Sequence, residues 1–142
     1  MSNYTHILVG LDLSDDCEVI LSKAASLAKN NNAEITVAHV FEPLAFAYGG
    51  DMPVDLTEAQ NIMEKQAKAR LRNICKPYEI PESQQLVEIG LTSSEIHDIA
   101  EERKADLVVV GSHGRHGLAA LFGNTANGVI RGAKCDVLAV RV

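Results

Sequence analysis

The sequence predicts an α/β domain built on a single doubly wound open sheet of five parallel strands, with helices on both faces. Three observations carry that reading. Apolar runs of strand length alternate with stretches of helical periodicity along the chain, and the clearest runs are continuously apolar, as strands covered on both faces are. The composition is rich in small aliphatic residues, with 4% aromatic residues and no Trp. At 142 residues and 46% hydrophobic content the chain is the size of one domain with one core, so residues 1–142 are read as a single unit.

The first predicted strand is His6 to Leu11, ending at Asp12. Ser14 stands where it could cap a helix, with Asp15, Asp16 and Glu18 in the first turn and Cys17, Ile20, Leu21, Ala24, Ala25 and Ala28 at helical spacing. Asn30-Asn31-Asn32 stops that helix, and Ala33 to Val40 is β-rich. A long loop follows, broken by Pro43, Gly49, Gly50 and Pro53. Thr57-Glu58-Ala59-Gln60 has the form of a capping box opening a helix whose apolar stripe runs Ala59, Ile62, Met63, Ala67, Leu71, Ile74, up to Pro77 and Pro81. Gln84 to Ile89 reads as a third strand, and Thr92-Ser93-Ser94-Glu95 as a second capping box, before a short helix carrying Ile96, Ile99 and Ala100. Ala105 to Val110 is the clearest strand and runs into Gly111. A last helix is expected to start at Asn124 or Thr125, and Asp136 to Val142 closes the chain as a fifth strand.

Composition also restricts function. A formal net charge of -6 with no Lys/Arg run opposes binding to a phosphate backbone, so nucleic acid is not an expected partner. Met1 to His6 is polar and the apolar run behind it is only strand-length, which predicts neither export nor membrane insertion and a cytoplasmic location. Cys17, Cys75 and Cys135 are odd in number and form no CxxC, so they read as small buried hydrophobes. A helix start beside Cys17 could lower its pKa, but nothing nearby argues for thiol chemistry.

In open α/β sheets ligands bind beyond the carboxyl ends of the strands, which directs attention to Asp12, Val40 and Gly111. Gly111-Ser112-His113-Gly114-Arg115-His116-Gly117 follows a buried strand, and Gly123-Asn124-Thr125 precedes a helix. Both offer unhindered backbone N–H groups at positions that suit phosphate oxygens; equally, the glycines could serve only as tight turns. There is no GxxxxGK[ST] loop, and the spacing is GxxGxxG rather than GxGxxG. His113, Arg115 and His116 suit a cationic loop facing phosphate better than a metal site, since no carboxylate or Cys lies close in sequence; solvated loop residues are the plainer alternative. His6, His39 and His97 read as structural. No GxSxG elbow or HExxH is present, and no carboxylates are paired at a spacing that suggests acid/base work, so the case for an enzyme is weak.

Ile7 to Ser14, the His39-Val40 pair and Asp106 to Arg115 together resemble the universal stress protein family, and the likeness spans nearly the whole chain. The resemblance implies the strand order 3-2-1-4-5 of adenine nucleotide alpha hydrolase-like domains and a homodimer through the C-terminal strand, where Val137, Leu138, Val140 and Val142 form an apolar edge. It also implies a stress-response role and binding of ATP or another adenine nucleotide, with Mg²⁺, on a glycine-rich loop. The base would lie near Val40, the ribose near Asp12, and the phosphates on Gly111, Gly114, Arg115, Gly123, Asn124 and Thr125. Family members that bind nucleotide carry Gly, two residues, Gly, nine residues, then Gly with Ser or Thr, whereas here eight residues separate Gly114 from Gly123, and Asn124 follows. Gly10 stands where binding members often carry Pro, and Asp12-Leu13-Ser14 resembles the branch that does not bind ATP. The alternatives are a dimeric interaction protein without a nucleotide, or a slow ATPase, since a bound triphosphate needs little beyond a positioned water. Asp12 could also simply cap the turn into the first helix.

Overall fold

The computed structural model describes residues 3–42, 55–112 and 128–142. Its elements are β1 (His6–Gly10), α1 (Cys17–Asn31), β2 (Glu34–Phe41), α2 (Asp55–Cys75), β3 (Gln85–Ile89), α3 (Thr92–Arg103), β4 (Leu107–Gly111) and β5 (Asp136–Val140). A further helical segment covers residues 128–132. The strands form one sheet in the order β3-β2-β1-β4-β5, every neighbouring pair parallel, as expected. The broken loop after β2 and the start of the last helix lie outside the described residues.

Side chains alternate across this sheet with the period of two that a strand dictates. Ile7, Val9, Val37, Leu107 and Val109 join α1 and α2 in one core cluster. Leu8, Ala38, Val40, Val108 and Val110 join α3 and Val129 in another. Helices therefore cover both faces. β1 is continuously apolar because it has no solvent side: Ile7, Leu8 and Val9 are wholly buried.

Three helix starts differ from expectation. α1 begins at Cys17 and is not capped by Ser14, because residues 12–16 form local turns first. The Ser14 N–H donates to Asp12 Oδ1 at 2.9 Å, the Asp16 N–H donates to Ser14 Oγ at 3.3 Å, and Leu13 lies in the left-handed region at φ 62°. α2 begins at Asp55, so Thr57 to Gln60 lies inside the helix rather than at its start. In α3, Leu91 holds the cap position in an extended conformation, making Thr92 the first helical residue. The apolar stripe on α2 is also shorter than expected. Ala67, Leu71 and Cys75 are buried, while Ile62 and Met63 are exposed, because only the C-terminal half of the helix lies against the core.

The amino ends of β1 and β4 are fastened by Asp106. Its carboxylate accepts from the Thr5 N–H at 2.9 Å, the Thr5 hydroxyl at 3.1 Å and the His6 N–H at 3.1 Å. Nearby, the Tyr4 hydroxyl donates to Asp136 at 2.7 Å, tying the start of the chain to β5. His6 and His97 are structural, as expected: His6 Nε2 meets the buried Thr36 hydroxyl at 2.7 Å, and His97 Nε2 donates to the Val129 carbonyl at 2.7 Å.

Desolvation pushes the Asp106 carboxyl up, but the hydrogen bonds from Thr5 and His6 together outweigh it and hold the group below its ordinary value. A depressed carboxylate stabilises the fold in full above the unfolded value of 3.8 and ceases to do so as pH falls through the lower folded value. Asp106→Asn is therefore expected to cost about 1 kcal/mol at neutral pH, a figure reduced by the solvent exposure of the site. Urea denaturation of both proteins should show this gap closing under acid; a gap unchanged at about pH 2 would contradict the assignment.

Candidate functional site

Beyond the carboxyl ends of β1, β2 and β4 lies a cleft of about 260 Å³. Its position follows from topology: the chain leaves β1 toward β2 on one side while β4 lies on the other, so the connections diverge and leave a crevice between them. Gly10 and Gly111 lie on adjacent strands in its floor. A Cβ on Gly10 would stand 3.1 Å from Ile96 Cδ1 and 3.3 Å from Val110 Cγ1, and one on Gly111 would stand 2.9 Å from Ile20 Cδ1. Glycine there lets α1 and α3 close against the sheet ends, so at Gly111 the residue has a packing reason besides any ligand.

The walls are apolar where Ala38, Val40 and Val110 meet Ile20 and Ile96, and polar at the mouth, where Asp12, Ser14, Asp16 and Thr92 stand. None of the described lining residues is Lys or Arg. Carboxylates in the lining suit hydroxyl donors and repel phosphate. Asp12 Oδ1 is engaged by the Ser14 N–H, so the turn-capping role is present, and the exposed carboxylate still faces the cleft.

His39 forms another part of the wall. One ring nitrogen, Nδ1, donates to the Leu11 carbonyl at 2.8 Å, and the ring stacks on Phe41 with centroids 6.0 Å apart. Burial lowers its pKa more than the Leu11 hydrogen bond and the Asp12 charge raise it, so the ring is neutral at pH 7 and leaves Nε2 as an acceptor. At the exit of β4, the Ser112 N–H donates to the Val140 carbonyl at 2.8 Å, whereas the buried Ser112 hydroxyl has no partner among the described residues.

Of the predicted site residues, the structure brings Asp12, Val40 and Gly111 around one cleft. Gly114, Arg115, Gly123, Asn124 and Thr125 lie outside the described residues, as do His113 and His116. Sequence reasoning missed Ile20, Thr92, Ile96 and Val142, which line the same space. Ile20 and Ile96 belong to ordinary helical stripes, and nothing in the pattern distinguishes their cleft-facing atoms from core. His39 was legible only as a neighbour of Val40.

A parallel five-stranded sheet in this order, with its crevice at the β1/β4 reversal, defines an adenine nucleotide alpha hydrolase-like domain. The chain belongs to the universal stress protein family, whose model matches residues 3–141. It is 39% identical over 140 residues to Universal stress protein A homolog 1 of Coxiella burnetii, an alignment covering 97% of this chain and 96% of that one. Among solved structures, the universal stress protein UspA from Lactobacillus plantarum matches with a TM-score of 0.83 at 24% identity, covering 99% of this chain and 100% of that one. A universal stress protein in complex with cAMP matches with a TM-score of 0.65 at 26% identity, covering 99% and 98% of the two chains.

Cys17, at the start of α1, does not have the lowered pKa that a helix start could confer. It is buried, and desolvation together with the Asp12 charge pushes its thiol up to about 11. Cys75 is likewise pushed up to about 11 by burial, while Cys135 is only partly buried. Alkylation of the native protein by iodoacetamide near pH 7.5 should therefore label Cys135 first and leave Cys17 and Cys75 intact until the protein unfolds. Peptide mapping by mass spectrometry checks this; early labelling of Cys17 would mean that the loop above it opens readily.

Proposed function

We propose that this protein is a cytoplasmic stress-response regulator that binds an adenine nucleotide in the β1/β4 cleft and acts as a homodimer. The observation that carries the proposal is the division of the cleft into an apolar pocket beside Val40, a carboxylate mouth at Asp12 and a glycine exit at Gly111. That order matches the base, ribose and phosphate of a nucleotide. The base packs against Val40 and Val110, and Asp12 accepts from ribose hydroxyls. Gly111, with Gly114, Arg115, Gly123, Asn124 and Thr125, receives the phosphates. The cAMP complex of a family member supports the same ligand class. Mg²⁺ would accompany a triphosphate and offset its charge. On this reading the chain supplies binding and orientation of the nucleotide, with at most slow hydrolysis.

Calorimetry with ATP, AMP and cAMP in the presence of Mg²⁺, on nucleotide-free protein, tests the reading. Wild type should bind at least one of them. Asp12→Ala should weaken binding about tenfold, through loss of a charge-assisted hydrogen bond, and Gly114→Val should weaken it further. No binding by wild type at millimolar ligand would favour a nucleotide-free interaction protein.

The dimer reading rests on β5, an edge strand with apolar side chains and an outer row of backbone groups unpaired among the described residues. Sedimentation velocity at micromolar concentration should give a species of twice the 15.3 kDa chain mass. A monomer at that concentration would overturn it.

A further inference from the structure

We propose that Arg70 is a positioning residue for the nucleotide site: reaching from α2, its guanidinium holds the β1–α1 loop in the conformation that presents Asp12 to the ligand. The proposal rests on the nucleotide reading above and adds to it a residue remote in sequence that does not line the cleft.

The Arg70 Nε–H donates to the Leu13 carbonyl at 2.8 Å, and Nη2 stands 3.9 Å from Asp15 Oδ1. Leu13 is the residue of this loop that lies in the left-handed region, at φ 62°. A leucine adopts that conformation only at a cost in strain, so surrounding contacts must maintain it. Two such contacts are present: the Leu13 side chain packs on the core cluster shared with α1, and its carbonyl is held by Arg70. The dihedrals of Leu13 set how its two neighbours face each other. Those neighbours are Asp12 and Ser14, which both line the cleft and are joined by the 2.9 Å bond from the Ser14 N–H to Asp12 Oδ1. A shift at the Leu13 carbonyl thus reaches the carboxylate within one peptide unit.

The exposure of the pair separates this role from general stability. The Arg70 side chain is 52% exposed and that of Asp15 is 77% exposed, so their ion pair contributes little to folding. A directed bond to one strained carbonyl acts instead on local conformation, as supporting shells do around binding sites. Lys would retain the charge but lose the geometry by which one planar group meets a carbonyl and a carboxylate together.

The test compares wild type, Arg70→Met, Arg70→Lys and Asp12→Ala in two measurements. Hydrogen exchange of the Ser14 amide, read by NMR on the ligand-free protein, should be about three- to tenfold faster in Arg70→Met, with amides in β1 and β4 unchanged. AMP binding should weaken about three- to tenfold in Arg70→Met and less in Arg70→Lys, while Arg70→Met added to Asp12→Ala should have no further effect. Unchanged Ser14 exchange would overturn the clamp, and an equal loss of affinity in the Asp12→Ala background would show that Arg70 acts on the ligand directly. Absence of binding by wild type would overturn the nucleotide reading, and the role of Arg70 in it, while the exchange result would still decide whether the clamp exists.

Discussion

The enclosure of β1 is the constraint on which the rest of the molecule depends. Its backbone pairs with β2 along one edge and β4 along the other, and its side chains enter the core clusters on both faces. A strand in that position has no polar face to mark its register, so register must come from its ends. At the amino end Asp106 binds the backbone of Thr5 and His6, and the Asp106 N–H returns a bond to the His6 carbonyl at 2.9 Å. At the carboxyl end the Leu11 N–H donates to the Ala38 carbonyl at 2.9 Å, extending the pairing with β2 just past the strand. Between those anchors, β1 is the strand at which the sheet changes direction. The cleft lies where that change occurs.

Irregular backbone is concentrated where that constraint ends. Immediately past β1 the chain makes two side-chain turns and places Leu13 in a left-handed conformation before α1 can begin. The other described non-glycine residues with positive φ, Asn32, Glu79 and Lys104, close helical segments, where one left-handed residue is a common terminator. Leu13 ends no helix. Its conformation is maintained by tertiary contacts, and the two side chains it orients are those that line the cleft, so here local strain and site geometry are one feature.

The fold was legible because its strongest signals come from burial. The continuous apolar runs at β1 and β4 have no solvent face, and strands alternating with helices form a parallel sheet covered on both sides. The helix starts were less legible. Thr57-Glu58-Ala59-Gln60 and Thr92-Ser93-Ser94-Glu95 have the residue types of capping boxes, but α2 starts upstream of the first and Leu91 takes the cap position before the second. A capping pattern records what a side chain can do, while the start itself is decided by how the incoming backbone leaves the preceding strand. At the site, Asp12, Val40 and Gly111 could be read from their places at strand ends. Ile20, Ile96 and Thr92 could not, because their part in the cleft depends on how closely α1 and α3 approach the sheet. That approach is set by the absence of side chains at Gly10 and Gly111, a property of the partner residue rather than their own.

The charges lining the cleft bear on the direction in which the proposed nucleotide would lie. With Asp12 and Asp16 in the lining and no Lys or Arg among the described lining residues, a phosphate placed beside the carboxylates would meet like charge. Sugar hydroxyls in the same place gain acceptors. Past Gly111 the sequence continues to Gly114 and Arg115, which on the proposed reading receive the phosphates. The neutral His39 completes the arrangement, because a cationic ring beside Asp12 would cancel the carboxylate and remove the distinction between the two ends. Burial, by keeping that histidine uncharged, thus preserves the polarity of the site.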